Sequence, residues 1–400
     1  MDRLLAAQTE AMGKLEGRYL RYLHEKIDWR LRRFVGIQGK KGVGKTTFLL
    51  QELRRHERGT ALYIKGDDPV FEENSLSTFV TVWHHLDEGR VLLLDDVNMI
   101  PNWEEELLYI HAKHREIKVT FTLPSFVDVF NNGMDKIAEM YILPGMSFRE
   151  YIDMRTGCYR DALWLDEFPG GHVNFCQSLP KDLGILTLFE NYLIDEYQGD
   201  HCLLEKVSDP GEPYAFIALG STFRKELQEM SVKHALDPKT AEDIFKLICQ
   251  YSLYDDLRGR SERCLGLDEE ELCKYLAALQ SHRLVNNIFS PKKRDAPFGI
   301  PVRVFVENTN LLNRVSPNTA REIKLATFIV GQMVNKIGYH PVIVGQNTVV
   351  ADERYTWLPL PDKSGAGNPK DWKGKSLRPV DGIEIGEGNQ VPVWLYGFLY

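Results

Sequence analysis

Gly39-Lys40-Lys41-Gly42-Val43-Gly44-Lys45-Thr46 is the stretch on which the reading of this chain turns. It fits G-x-x-x-x-G-K-[ST], the pattern of a phosphate-binding loop. Phe34-Val35-Gly36-Ile37 before it reads as a short buried strand, and Thr47 to Leu53 after it has helical periodicity. A helix N-terminus offers unpaired amide N–H groups and the positive end of a dipole to an anion. Glycines let the backbone curl around a phosphate without Cβ clashes. The expected nucleotide-binding set is Gly39, Lys40, Lys41, Gly42, Val43, Gly44, Lys45, Thr46 and Thr47. Lys45 is expected to neutralise the β/γ-phosphates, and the Thr46 hydroxyl to hold Mg²⁺.

A strand ending in a carboxylate should complete such a site. Val91-Leu92-Leu93-Leu94-Asp95-Asp96 supplies it. Four apolar residues in a row suit a central parallel strand covered on both faces, and ligands bind at the carboxyl ends of such strands. Asp95 is then the carboxylate on the Mg²⁺ side, and Asp96, with Lys45, the catalytic candidate that polarises the attacking water. On the strand read at Ile117–Thr122, Thr122, or Ser125 just beyond it, is the candidate γ-phosphate sensor.

The wider composition sets bounds. A net charge of −8 argues against a globally basic nucleic-acid coat, but leaves room for a local basic patch. The six cysteines are scattered without a C-x-x-C pair, which fits a reducing, cytoplasmic setting and gives no zinc signature. His111 and His114 read as a solvated helix face. No apolar run approaches the ~18 residues of a transmembrane helix, so no membrane association is expected.

Residues 1–33 read as N-terminal helices, followed by a P-loop core over 34–155 in which strand and helix alternate. That alternation predicts a largely parallel, three-layer α/β sheet. Ser147-Phe148-Arg149-Glu150 is a capping box opening a helix. Arg149 is a candidate arginine finger for a neighbouring subunit, against the plainer reading of a solvated first-turn arginine. Residues 156–235 read as a helical lid or linker. Over 236–307, helices at Thr240–Tyr251 and Asp268–Ser281 precede two strands, Leu284–Phe289 and Val302–Val306, a winged-helix pattern. Lys292, Lys293 and Arg294 at the wing tip are candidates for weak DNA phosphate contacts, although Asp268 and Glu269–Glu271 at the second helix start would repel DNA. Residues 308–400 read as a small α/β domain.

Several phrases are shared with one known group: Ile27-Asp28-Trp29, Gly42-Val43-Gly44-Lys45-Thr46-Thr47, Ala61-Leu62-Tyr63, Pro101-Asn102-Trp103, Gly145 to Tyr151, Asn308-Thr309-Asn310-Leu311 and Trp394 to Tyr400. Together they resemble a family of bacterial AAA-type P-loop ATPases that end in a winged helix and a restriction-nuclease-like domain. The resemblance implies a RecA-like core binding ATP and Mg²⁺, a homo-oligomer, and an unknown protein partner. Against that family, Asp95-Asp96 replaces Asp-Glu, Leu123-Pro124-Ser125 replaces a Gly-Ser-Ser sensor turn, and Lys136-Ile137 replaces paired arginines. These departures bear on hydrolysis more than on nucleotide binding. The nuclease positions of that family fall at Gln346 and Asn347 and within Tyr355–Leu360, which carry no carboxylate, so the tail is read as a non-nuclease domain. Asp352, Glu353 and Asp362 lie nearby. The leading expectation is a slow, Mg²⁺-dependent ATPase. A non-hydrolysing, nucleotide-gated switch and a DNA-processing effector compete with it.

Overall fold

Five short strands build the sheet that carries the glycine-rich loop Gly39–Thr46. The computed structural model describes residues 1–15, 19–57, 59–130, 133–194, 215–250, 254–289, 300–335, 342–344, 348–351, 355–357 and 375–400. They divide into two units, Met1–Pro144 and Gly145–Tyr400.

In the first unit, helices α1 (Asp2–Gly13) and α2 (Leu23–Lys26) precede strand β1 (Phe34–Gly39) and helix α3 (Lys45–Leu53). Next come β2 (Ala61–Lys65), α4 (Val70–Glu73), α5 (Leu76–Asp87) and β3 (Val91–Asp95). Helix α6 (Trp103–Lys113), β4 (Lys118–Pro124) and β5 (Glu139–Ile142) complete the unit. The sheet order is β2-β3-β4-β1-β5, every pairing parallel. Alternate residues of β3 serve opposite layers. Leu92 and Leu94 join Leu62, Val80, Trp83, Leu107 and Phe121 on one face. Leu93 packs with Leu49, Leu50 and Leu53 of α3 on the other, where Ala11 and Met12 of α1 also lie. Burial on both faces accounts for the unbroken aliphatic run.

The N-terminal stretch departs from a continuous helical reading: residues 27–33 are not helical. Ile27 turns to an extended conformation as the α2 C-cap, and the Asp28 carboxylate accepts from the N–H groups of Arg30 and Leu31. A side chain that bonds nearby backbone competes with the helix ladder.

The second unit begins with α7 (Phe148–Thr156). Its capping box is present: Ser147 accepts from Glu150 N–H, and the Glu150 carboxylate from Ser147 N–H. Helices α8 (Phe168–Ser178), α9 (Ile185–Ile194), α10 (Ala215–His234), α11 (Pro238–Gln250), α12 (Tyr254–Leu265) and α13 (Glu269–Ser281) follow. Strands β6 (Val285–Ile288) and β7 (Arg303–Val306) pair antiparallel. After α14 (Thr309–Val315) and α15 (Arg321–Asn335) comes a second sheet of β8 (Val342–Val344), β9 (Thr348–Ala351), β10 (Tyr355–Trp357), β11 (Lys375–Val380) and β12 (Gln390–Pro392). Its order is β12-β11-β10-β9-β8. The terminal stretch Val393–Phe398 is buried against α7 and α15; Phe148, Phe189, Phe328 and Phe398 meet edge to face. No described helix is long and apolar enough to cross a membrane.

Candidate functional site: the phosphate loop and the β3 carboxylates

The site lies at the carboxyl ends of β1, β3 and β4. Between β1 and α3 the chain turns through Gly42 (φ 87°) and Gly44 (φ 97°), a left-handed backbone that side chains with a Cβ rarely adopt. Gly39 has no room for a side chain, since a Cβ there would sit 2.7 Å from the Leu143 carbonyl oxygen. Lys40 and Val43 are buried, while Lys41, Thr46 and Thr47 are exposed at the loop and first helical turn. The Lys45 ammonium folds back over the loop, donating to the carbonyls of Gly39 (3.0 Å) and Lys40 (3.2 Å).

Asp95 ends β3 in a buried position where three hydroxyls converge. Thr46 Oγ1 donates to its Oδ2 at 2.6 Å, and Tyr63 OH to the same oxygen at 2.9 Å. Thr122 Oγ1 donates to Oδ1 at 2.7 Å and accepts from the Asp96 N–H at 2.7 Å. The Asp95 carboxylate is therefore fixed by α3, β2 and β4 together. Burial, then the neighbouring Asp95 charge, pushes the Tyr63 phenol well above its ordinary pKa, so it stays a donor.

Asp96 follows in a left-handed conformation (φ 50°), which an aspartate tolerates. Gly66, after β2, makes this turn fit: its N–H donates to the Asp95 carbonyl at 2.6 Å, and a Cβ on it would lie 2.2 Å from the Asp96 carbonyl oxygen. The Asp96 side chain is exposed at the mouth of the site, yet closely ringed by protein. Desolvation, then repulsion from Asp95, raises its carboxyl pKa, with Lys45 opposing.

These donors fit Mg²⁺ with a nucleotide. A hydroxyl and a carboxylate oxygen in contact are hard ligands, and Mg²⁺ is usually held by one or two carboxylates plus substrate phosphates. Among the described residues, no group of three or more His, Cys, Asp or Glu is placed to hold a metal. His111 packs edge-on against Phe34, and His114 faces Thr81.

The structure brings together Gly39, Lys45, Thr46, Asp95 and Asp96 from the expected set. Thr122 is wholly buried and bonded to Asp95, so it supports the carboxylate. Ser125 gives its carbonyl to Gln38, whose amide also holds the Pro124 and Val127 carbonyls. Arg149 is a correction: neither solvated nor extended toward another subunit, it is buried and donates to the Tyr400 and Arg160 carbonyls. Lys136 is exposed at the end of a short 3₁₀ turn. Lys292, Lys293 and Arg294 lie outside the described residues, as do Gln346, Asn347, Asp352, Glu353 and Asp362. Tyr63 was missed, though a tyrosine in the aliphatic strand Ala61–Ile64 signals a buried hydroxyl in need of a partner.

A parallel sheet, a glycine loop opening a helix, and a carboxylate bonded to the hydroxyl of that helix define a phosphate-loop α/β protein. Residues 31–152 match the family described as AAA domain. No curated protein matches the chain. Among solved structures, AMPPCP-bound DnaA from Aquifex aeolicus is similar at 13% identity, covering 68% of this chain and 89% of that one, with a TM-score of 0.32. The S. cerevisiae Hsp104–ADP complex is similar at 12% identity over 69% of this chain and 40% of its own, with a TM-score of 0.31. C. elegans PCH-2 is similar at 14% identity over 50% of this chain and 57% of its own, at 0.28. Function has to be read from the residues of the site itself.

Proposed function

We propose that the chain binds ATP with Mg²⁺ at the phosphate loop and hydrolyses it slowly. The observation that carries this reading is the 2.6 Å contact between Thr46 Oγ1 and Asp95 Oδ2, which joins the start of α3 to the end of β3. Bound Mg²⁺ would supply positive charge against the phosphates. The groups of the loop from Gly39 to Thr47 cradle the phosphates, and Lys45 exchanges the Gly39 and Lys40 carbonyls for phosphate oxygens. Thr46 and Asp95 hold the cation, with Thr122 and Tyr63 keeping the carboxylate in place. Asp96 accepts the proton of the attacking water. Its raised pKa makes it a better base than an ordinary aspartate, but its side chain is short. A misplacement of about 1 Å can cost on the order of 10²-fold in rate, hence slow turnover.

The remaining expectations stand as parts of the same proposal. The chain assembles as a homo-oligomer in the cytoplasm and couples nucleotide state to a protein partner or DNA. Residues 236–307 form a winged helix, supported by the antiparallel β6–β7 pair after α11–α13. Acidic Glu269–Glu271 in the first turn of α13 turns that domain towards packing, leaving only weak DNA contact through Lys292, Lys293 and Arg294. Residues 156–235 act as lid or linker, and 308–400 as a non-nuclease domain.

A second reading, a nucleotide-gated switch without hydrolysis, is favoured by the commitment of Thr122 to Asp95, which leaves γ-phosphate sensing to other groups. Phosphate release at steady state separates the two. Slow turnover in the wild type that falls about 10²-fold or more in Asp96→Asn is expected of a general base. Equal turnover in both proteins removes Asp96 from catalysis, and no turnover despite ATP binding selects the switch.

A further inference from the structure

We infer that Arg21 is a positioning residue for the phosphate loop, and that the segment around it is a strap that holds the loop in its nucleotide-binding form. This rests on the ATP-binding reading above. Arg21 lies upstream of β1, outside the loop motif. Its guanidinium donates to the Val43 carbonyl (Nη1, 3.3 Å) and to the Pro144 carbonyl (Nη2, 2.9 Å), the latter just beyond β5. One planar side chain thus ties the middle of the phosphate loop to the edge of the sheet, a fork geometry that suits arginine and not lysine.

The consequence follows from peptide geometry. In a planar trans peptide, the carbonyl of Val43 and the N–H of Gly44 point in opposite directions. Holding the Val43 carbonyl towards Arg21 turns the Gly44 N–H the other way, into the concavity where a phosphate sits. The Gly44 carbonyl is drawn off as well, by the Phe48 N–H at 2.8 Å. A carbonyl facing a phosphate repels it, so each of these bonds favours the anion-binding form. Gly42 and Gly44 lack the side chains that would otherwise restrict the loop, and an external tie is the means of restricting it.

The segment bearing Arg21 is anchored independently. The Gln51 amide of α3 donates to the Tyr19 carbonyl at 2.5 Å. The His24 ring stacks on Phe48 with centroids 3.7 Å apart and 15° between planes. Ile27 packs with Val35, Ile37, Val43, Phe48 and Leu143. Arg21 is therefore presented from a seated strap rather than from a free tail.

Arg21→Met keeps the unbranched apolar stem of the side chain and removes the donors. Three readouts test it: calorimetric titration with ATP·Mg²⁺, amide hydrogen exchange without nucleotide, and thermal unfolding, each beside wild type, Arg21→Lys and Lys45→Ala. The expected result is an affinity about tenfold weaker for Arg21→Met, as for the loss of a charge-assisted hydrogen bond, with Arg21→Lys in between. Faster exchange should be confined to the amides from Gly42 to Thr46, with the unfolding midpoint nearly unchanged. Wild-type affinity in Arg21→Met, when Lys45→Ala loses binding, overturns the strap and leaves the ATP reading intact. Faster exchange spread through β1, β3 and β4 makes Arg21 a general structural residue and also overturns it. A wild type that fails to bind ATP removes both.

Discussion

At the candidate site, Thr46, Tyr63 and Thr122 meet Asp95 through bonds of 2.6–2.9 Å, Lys45 bonds the Gly39 and Lys40 carbonyls at 3.0 and 3.2 Å, and Gly39 and Gly66 leave space that a Cβ would fill. In the second unit, α7 and the Val393–Phe398 stretch are also brought together by a glycine, but the contact is between aromatic rings. Phe148 packs edge-on against Phe398, and a Cβ on Gly397 would sit 2.4 Å from the Phe148 Cβ. Polar bonds link the same elements: Arg149 donates to the Tyr400 carbonyl at 3.0 Å, and Tyr400 OH to the Gly145 carbonyl at 3.0 Å. The first region uses glycine to aim charged groups, the second to bring a helix against a chain segment. A methyl group added to either should therefore fail differently, one in chemistry and the other in stability.

The largest effect is expected at Gly66. Gly66→Ala places a methyl against the Asp96 carbonyl and shifts the Asp95–Asp96 turn. Phosphate release should fall on the order of 10²-fold, with a much smaller loss of ATP affinity. Unchanged turnover would show that the position of Asp96 is not critical. Gly397→Ala sharpens the other side of the comparison. Overpacking against Phe148 should destabilise the second unit by about 1–3 kcal/mol in denaturant unfolding. A stable variant would mean that α7 and the terminal segment do not pack this closely.

The smallest effect concerns pH. The folded-state pKa of Asp96 is raised, so below that value the base carries a proton and turnover falls, while above it turnover rises. Stability runs the other way. The folded state holds this proton to a higher pH than the unfolded chain, so ionising Asp96 lowers stability as pH rises through the shifted range. Asp96→Asn should accordingly melt slightly above the wild type at neutral pH and equally at strongly acid pH. A lower melting point at neutral pH would contradict the burial and charge argument for Asp96.

The two regions also differ in how far they could be read from the sequence. The loop was legible because its residues are contiguous, and Asp95 because an aliphatic run ending in carboxylates has few other uses in a parallel sheet. What supports them was not. Tyr63, Thr122 and Gly66 reach Asp95 and Asp96 from other strands, and only the register of the sheet brings them there. The phrases Gly145–Tyr151 and Trp394–Tyr400 stood out as resemblance, but nothing in either one says that they pack on each other. Arg149 read as solvent-facing because it sits in a first turn, whereas its partners are carbonyls at positions 160 and 400. Helix α12 escaped periodicity for another reason: among its described side chains only Leu257 and Ser261 are buried, too few to mark a face.

Calorimetric titration of the wild type and of Lys45→Ala with ATP·Mg²⁺ tests the central claim most directly. Wild-type binding is expected, weakened in Lys45→Ala by about 1.5–3 kcal/mol through loss of a charge-assisted contact to phosphate. The same affinity in both proteins would contradict the assignment of this loop as the nucleotide site.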